Sequence, residues 1–182
     1  MKAKLLQIRL VGDKILRQVA EPVQEITPEM KNFLKDLTHT MYETDGVGLA
    51  APQVGLSQRI FVIDTTWSQE EGKKEPIVLI NPVILESSGE LIYEEGCLSV
   101  PGIFEKVKRF NHIVMEYQDI NGEKRTLEGE GTRAVVMQHE YDHLDGILFI
   151  DKITKLKLWP LKKKIRQFES STDHNGNNFR TL

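Results

Sequence analysis

The stretch QHEYDHLDG, residues 138–146, places His139 and His143 four apart, with Glu140 directly after the first histidine. On an α-helix, residues i and i+4 share a face, so both imidazoles can reach one metal ion. Glu140 then stands beside the ion rather than on it, placed to take a proton from water. Many unrelated metalloproteins share this HExxH spacing, and so would two surface histidines on a solvated helix. The pattern therefore needs a third ligand from elsewhere in the chain.

Downstream candidates are weak. The longer HExxHxxGxxH pattern of one protease group is met through Gly146 but has Phe149 where its third histidine belongs. A glutamate on a following helix, the arrangement of another group, is matched only by the late Glu169. Upstream, EEGCLSVPG (94–102) holds Cys97, the chain's single cysteine. A thiolate suits a soft or borderline metal and completes a Cys-His-His set. A lone cysteine is more often a small buried hydrophobe. Polar Glu95 and Ser99 around a glycine-flanked turn argue against that here.

A third segment, GVGLAAPQVG (46–55), superficially matches a dinucleotide-binding G-x-G-x-x-A. That fingerprint follows a strand and opens a helix, whereas a helix is expected before this segment and a strand after it. What remains is a loop of small residues against whose backbone a substrate can lie. Its one polar side chain, Gln53, can donate to a developing oxyanion. A tight turn packed with small residues is the plainer reading of the same segment.

Taken in order, GVGLAAPQ, EGCLS and HEYDH resemble the three marker segments of the peptide deformylase family, and the likeness runs from the first expected helix to the last. The triple match at comparable spacing is far more specific than any one segment. The C-terminal helix after Gly146 is similar to that of the common bacterial type. The resemblance implies Cys97, His139 and His143 as ligands of one divalent ion, usually ferrous iron, with zinc or nickel as substitutes. The ligand chemistry alone would also accept cobalt. The resemblance further implies Glu140 as general base and acid, Gln53 and the Leu98 main-chain N–H as oxyanion donors, and Gly48 as a backbone contact for substrate. The implied activity is removal of the formyl group from the N-terminal formylmethionine of nascent bacterial polypeptides. Phe104 stands where a well-studied subgroup carries arginine, so binding beyond the methionine is expected to differ.

In that scheme the metal lowers the pKa of its water from about 15.7 towards neutrality. Glu140 takes the proton, and the metal-bound hydroxide attacks the formyl carbon. Gln53, Leu98 N–H and the metal hold the oxyanion, and Glu140 returns the proton to the leaving amine as formate departs. Val47, Tyr93, Val135 and Val136 flank the site segments and are expected to line the methionine pocket. Core packing is a serious competing role for the last two. Asp142 is expected to pair with Arg109 and steady the helix. A zinc peptidase would leave Cys97 idle, and a metal-storing module would have no use for Gln53 or Glu140.

These residues need elements to carry them. Thr27-Pro28 caps a helix whose apolar face is Met30, Phe33, Leu34, Leu37 and Met41, with Gly46 as its left-handed end. RIFVID (59–64) and PIVLINPVILESSGE (76–90) read as strands around a polar hairpin loop, with Pro82 marking a break or an edge. HIVMEYQDINGEKRTLEGE (112–130) reads as a hairpin around Asn121-Gly122. The HExxH helix is placed at 131–145, stopped by Gly146. A last helix begins near Pro160, with Leu161, Ile165 and Phe168 on one face. This order predicts an α+β domain, antiparallel sheets around a central metal-binding helix with a C-terminal helix. Residues 1–170 are expected to form one catalytic domain and 171–182 a polar, flexible tail.

Bulk composition excludes little but is consistent. The 182 residues are 40% hydrophobic, enough for a real core, and the net charge of −3 provides no overall basic field for DNA or membrane. Neither a signal peptide nor a membrane span is expected, and one cysteine permits no internal disulfide; a reducing cytoplasm is the expected setting. Lys155, Lys157, Lys162, Lys163, Lys164 and Arg166 crowd the last helix. A solvated basic face is the default reading. The resemblance adds ribosome contact, since some members dock by this helix.

Overall fold

The computed structural model describes residues 3–68 and 72–180. The elements run β1 (Ile8–Arg9), α1 (Pro28–Glu43), β2 (Gly48–Ala50), β3 (Ile60–Ile63), β4 (Ile77–Ser88), β5 (Leu91–Cys97), β6 (Val100–Arg109), β7 (His112–Gln118), β8 (Lys124–Glu130), α2 (Thr132–Leu144), α3 (Lys155–Glu169) and β9 (Phe179–Arg180). All pairings between these strands are antiparallel. The main sheet has the order β2-β3-β4-β7-β8, while β5-β6 and β1-β9 form separate two-stranded sheets. The architecture is α+β, as the order of elements predicts.

The main sheet is covered on both faces, which explains why β3 is four apolar residues in a row, all buried. Ile60 and Val62 face α1 through Leu34, Leu37 and Met41. Phe61 and Ile63 face the opposite way, towards Ala134, Met137 and Leu144 of α2. A strand with two buried faces loses the usual polar alternation. α2 is thereby the central helix, buried continuously from Ala134 to Gln138. The β5-β6 hairpin packs Val100, Ile103 and Val107 against Leu148, Phe149, Ile150 and Ile165.

Thr27 caps α1 as expected, its hydroxyl accepting the Met30 N–H at 3.2 Å. The left-handed residue after the helix is Asp45, with φ 54°, not Gly46. Pro82 neither ends β4 nor marks an edge: β4 lies between β3 and β7, with a register shift between Ile80 and Val83. The bulge accommodates the missing proline N–H. The 112–130 hairpin forms around its turn, but only Gly122 has positive φ, so this is not the two-residue turn that Asn-Gly favours. Residues 91–109, read only as turn and site segment, form a hairpin of their own.

α3 begins at Lys155 rather than near Pro160, which lies inside it. The carbonyl that Pro160 leaves without a donor belongs to Leu156, which is 85% exposed, so water can satisfy it. The polar segment after α3 does not trail away. Asn178 is buried and Phe179–Arg180 pair with Ile8–Arg9. Residues 181–182 lie outside the described residues.

Candidate metal centre and cleft

α2 presents His139, Glu140 and His143 from inside the molecule, and β5 brings Cys97 to meet them at its last residue. One ligand atom from each of Cys97, His139 and His143 lies within 4.8 Å of the others, a set that can hold a metal ion. His143 Nε2 is 3.3 Å from the Cys97 sulfur. His139 Nδ1 is 2.8 Å from the Glu95 carboxylate, which leaves Nε2 to face an ion. A carboxylate on the far nitrogen of a histidine is the usual support for a metal ligand. Thiolate plus two imidazoles suits a divalent transition metal, so the donor set fits such an ion.

Strand alternation places Tyr93, Glu95 and Cys97 on one face of β5. Glu95 is buried and grips Arg109 through two hydrogen bonds, 2.6 and 2.9 Å. Arg109 also donates to Asp142 at 2.5 Å, the pairing expected from sequence. Lys152 lies 3.1 Å from the other Asp142 oxygen. Burial alone would raise the Glu95 pKa; Arg109 and His139 outweigh it and hold the carboxyl down at about 2. The chain of charges ties β5, β6 and α2 together directly behind the ligands. Phe149, found where one protease pattern needs histidine, stacks on His139 at 6.2 Å.

Glu140 is 4% exposed, and among the described residues its Oε2 has no hydrogen-bond partner. Burial, against the opposing pull of His139, lifts its pKa to about 7. Burial works against charge on His139, but Cys97 and Glu95 beside it raise its pKa on balance. Burial, reinforced by the positive charge of His139, lowers that of His143, which favours the neutral, ligating form. Gly48 lies against Glu140: a Cβ there would stand 2.5 Å from Oε1. Gln53 accepts the Ala50 N–H at 2.8 Å through Oε1, which turns its amide nitrogen towards Cys97 (3.5 Å) and the Ser99 hydroxyl (3.2 Å).

A cleft of about 500 Å³ opens over these groups. Val47, Gly48, Gln53, Tyr93, Cys97, Leu98, Val135, Val136, His139 and Glu140 all line it. Val136 also belongs to the core between α2 and the main sheet, so its packing and lining roles coexist. His143 sits deeper, 1% exposed. Phe104 lines the rim, 67% exposed and laid over Gly96. Sequence reasoning missed Glu95 and Ser99 as partners of His139 and Gln53. The i, i+2, i+4 relation of Tyr93, Glu95 and Cys97 was the available signal for Glu95, once 91–97 is read as a strand.

The family model described as polypeptide deformylase matches residues 5–159. A peptide deformylase of Neisseria meningitidis is 44% identical over 168 residues, 92% of this chain and 98% of the relative. The crystal structure of a peptide deformylase from Legionella pneumophila superposes with a TM-score of 0.84 at 40% identity, covering 92% of this chain and 96% of that one. A class I type b peptide deformylase from Acinetobacter baumannii, solved with Met-Ala-Ser bound, is similar at a TM-score of 0.78 and 33% identity, covering 84% of this chain and 100% of that one. Matched along nearly its whole length, the chain belongs to the polypeptide deformylase family, hydrolases that act on formyl-methionine peptides.

Proposed function

We propose that the chain is a single catalytic domain that removes the formyl group from nascent polypeptides in the cytoplasm, using one divalent ion held by Cys97, His139 and His143. The observation that carries this reading is the convergence of those three donors beside a buried carboxylate with a free oxygen. An ion in that set supplies Lewis acidity, which lowers the pKa of water towards neutrality and polarises a carbonyl. Ferrous iron is the proposed native ion, with zinc, nickel or cobalt as workable substitutes.

Glu140 uses its free oxygen to take the proton of the attacking water. Gln53 Nε2 and the Leu98 main-chain N–H donate to the formyl oxygen as it gains charge. Each such donor is worth on the order of 3 kcal/mol. Glu140 then hands the proton to the departing amine, leaving formate and a free amino terminus. The Gly48 backbone steadies the substrate, while Val47, Tyr93, Val135 and Val136 surround the methionine side chain. Glu95, itself held by Arg109, accepts the Nδ1–H of His139, which keeps the ring oriented and the proton off Nε2, the nitrogen that faces the ion.

The outer face of α3 supports a second, separable element of the proposal, contact with ribosomal RNA. Leu156 and Trp159 are 85% and 74% exposed beside the basic residues of that helix. Lys157 and Lys164 are partly engaged by Glu105 and the Gly102 carbonyl. Lys155, Lys162, Lys163 and Arg166 are exposed and carry the remaining charge.

Formate release from formyl-Met-Ala-Ser tests the main reading, with protein loaded anaerobically with ferrous iron. Wild type should release formate and Glu140→Ala should not. A wild type that releases none would sink the proposal, and cleavage of the peptide bond instead would favour a peptidase.

A further inference from the structure

The segment that follows α3 returns to the start of the chain and reaches the cleft by two separate routes. Along the first, Asn178 donates from Nδ2 to the Val11 carbonyl at 2.9 Å, while its own N–H donates to Asp13 at 2.9 Å. Val11 donates to the Ser99 carbonyl at 2.8 Å. The buried Ser99 hydroxyl accepts Gln53 Nε2 at 3.2 Å. Along the second, the Arg9 guanidinium lies 5.3 Å from the centre of the Phe179 ring. Arg9 also covers Gly55, where a Cβ would sit 2.7 Å from Nη2. Gly55, left-handed at φ 92°, ends the turn Ala51–Val54 that carries Gln53.

The first route finishes at the Gln53 amide, the second at the end of the turn that carries it. The contacts are those of a built feature. Asn178 is 4% exposed, with a second Nδ2 contact to the Phe168 carbonyl at 2.6 Å. Gly12 can pass the segment only because it lacks a Cβ, which would meet Thr172 at 2.5 Å. The family match ends at residue 159, so this segment lies beyond the part of the chain that defines the family.

We propose that residues 172–180 are a strap that holds the Gln53 amide in place, with Asn178 as its positioning residue. Asn178 touches no reacting atom; it acts through Val11 and Ser99. The inference rests on the deformylase reading, in which Gln53 donates to the oxyanion. A donor displaced by a fraction of an ångström loses part of the roughly hundredfold that a misplaced group can cost.

The test uses the full chain with Asn178→Ala, alone and combined with Gln53→Ala. Expected is a fall of about ten-fold in kcat per metal-loaded site, with KM unchanged. In the Gln53→Ala background the same substitution should cost nothing further. The Gln53 side-chain amide signal in a ¹H–¹⁵N spectrum, identified by its loss in Gln53→Ala, should shift or broaden in Asn178→Ala. An unmoved signal with wild-type kcat, or a fall that simply adds to that of Gln53→Ala, would overturn the strap. If Asn178→Ala does not fold, Phe179→Ala cuts the second route alone and should give the same signature at smaller size. Absence of formate release from wild type would defeat the deformylase reading, while the Gln53 signal would still decide the strap.

Discussion

A buried carboxylate with an unpartnered oxygen is expensive, and Glu140 holds that position at the floor of the cleft. Its neighbours show what the expense serves. Glu140→Gln keeps the volume and removes the base; kcat should fall by about 10²–10⁴-fold with metal content unchanged, measured by formate release and metal analysis. Gly48→Ala pushes a methyl to within 2.5 Å of the same carboxylate. Activity should drop with the ligands intact, and a wild-type rate would show that Glu140 has room to move. At this scale much of the site was readable in sequence. The i, i+4 spacing of His139 and His143 and the lone thiol at Cys97 carried it. Glu95 was not readable, because a glutamate beside Glu94 looks solvated until the strand's face and the distant Arg109 are known.

Among elements, the hinge of the design is the contact of β5, β6 and α2 through Glu95, Arg109 and Asp142. Arg109→Ala strips the buried Glu95 of its guanidinium and leaves the half-buried Asp142 with Lys152 alone. A loss of about 3–5 kcal/mol is expected in denaturant unfolding, with metal affinity down about 10–100-fold through His139. Asp64, after β3, works differently. Burial would raise its pKa, but the Tyr42 hydroxyl and the N–H groups of Thr66 and Glu75 outweigh that and hold it below its ordinary 3.8. Its stabilising effect is therefore full above that ordinary value and is lost as pH falls through the lower folded one. Wild type should exceed Asp64→Asn in stability at neutral pH, with the gap closing in acid; a gap independent of pH would contradict this. The elements hardest to read were those where a local rule yielded to context. Pro82 fits a bulge in an interior strand, and Pro160 sits inside α3 because water can reach the carbonyl it strands.

For the molecule as a whole, the apolar packing predicts an interior that holds without an ion. Both faces of the main sheet and the seat of the β5-β6 hairpin are filled with apolar side chains. Chelation should abolish formate release and lower Tm while leaving far-UV circular dichroism unchanged; loss of helix signal would show that metal is needed to fold. The α+β class followed from the order of elements. The course of residues 171–180 did not, because Asn178 is polar and its partners are backbone atoms far away in sequence. The ligand set itself is a pair of jaws. One jaw is the helix α2, fixed in the core; the other is a hairpin that, among the described residues, pairs only with itself. The gap between them depends on how firmly that hairpin is seated. Val107, 1% exposed and not itself a ligand, is part of that seat. Loosening it would widen the bite around the ion, so a change made purely in packing would surface as metal leaking away.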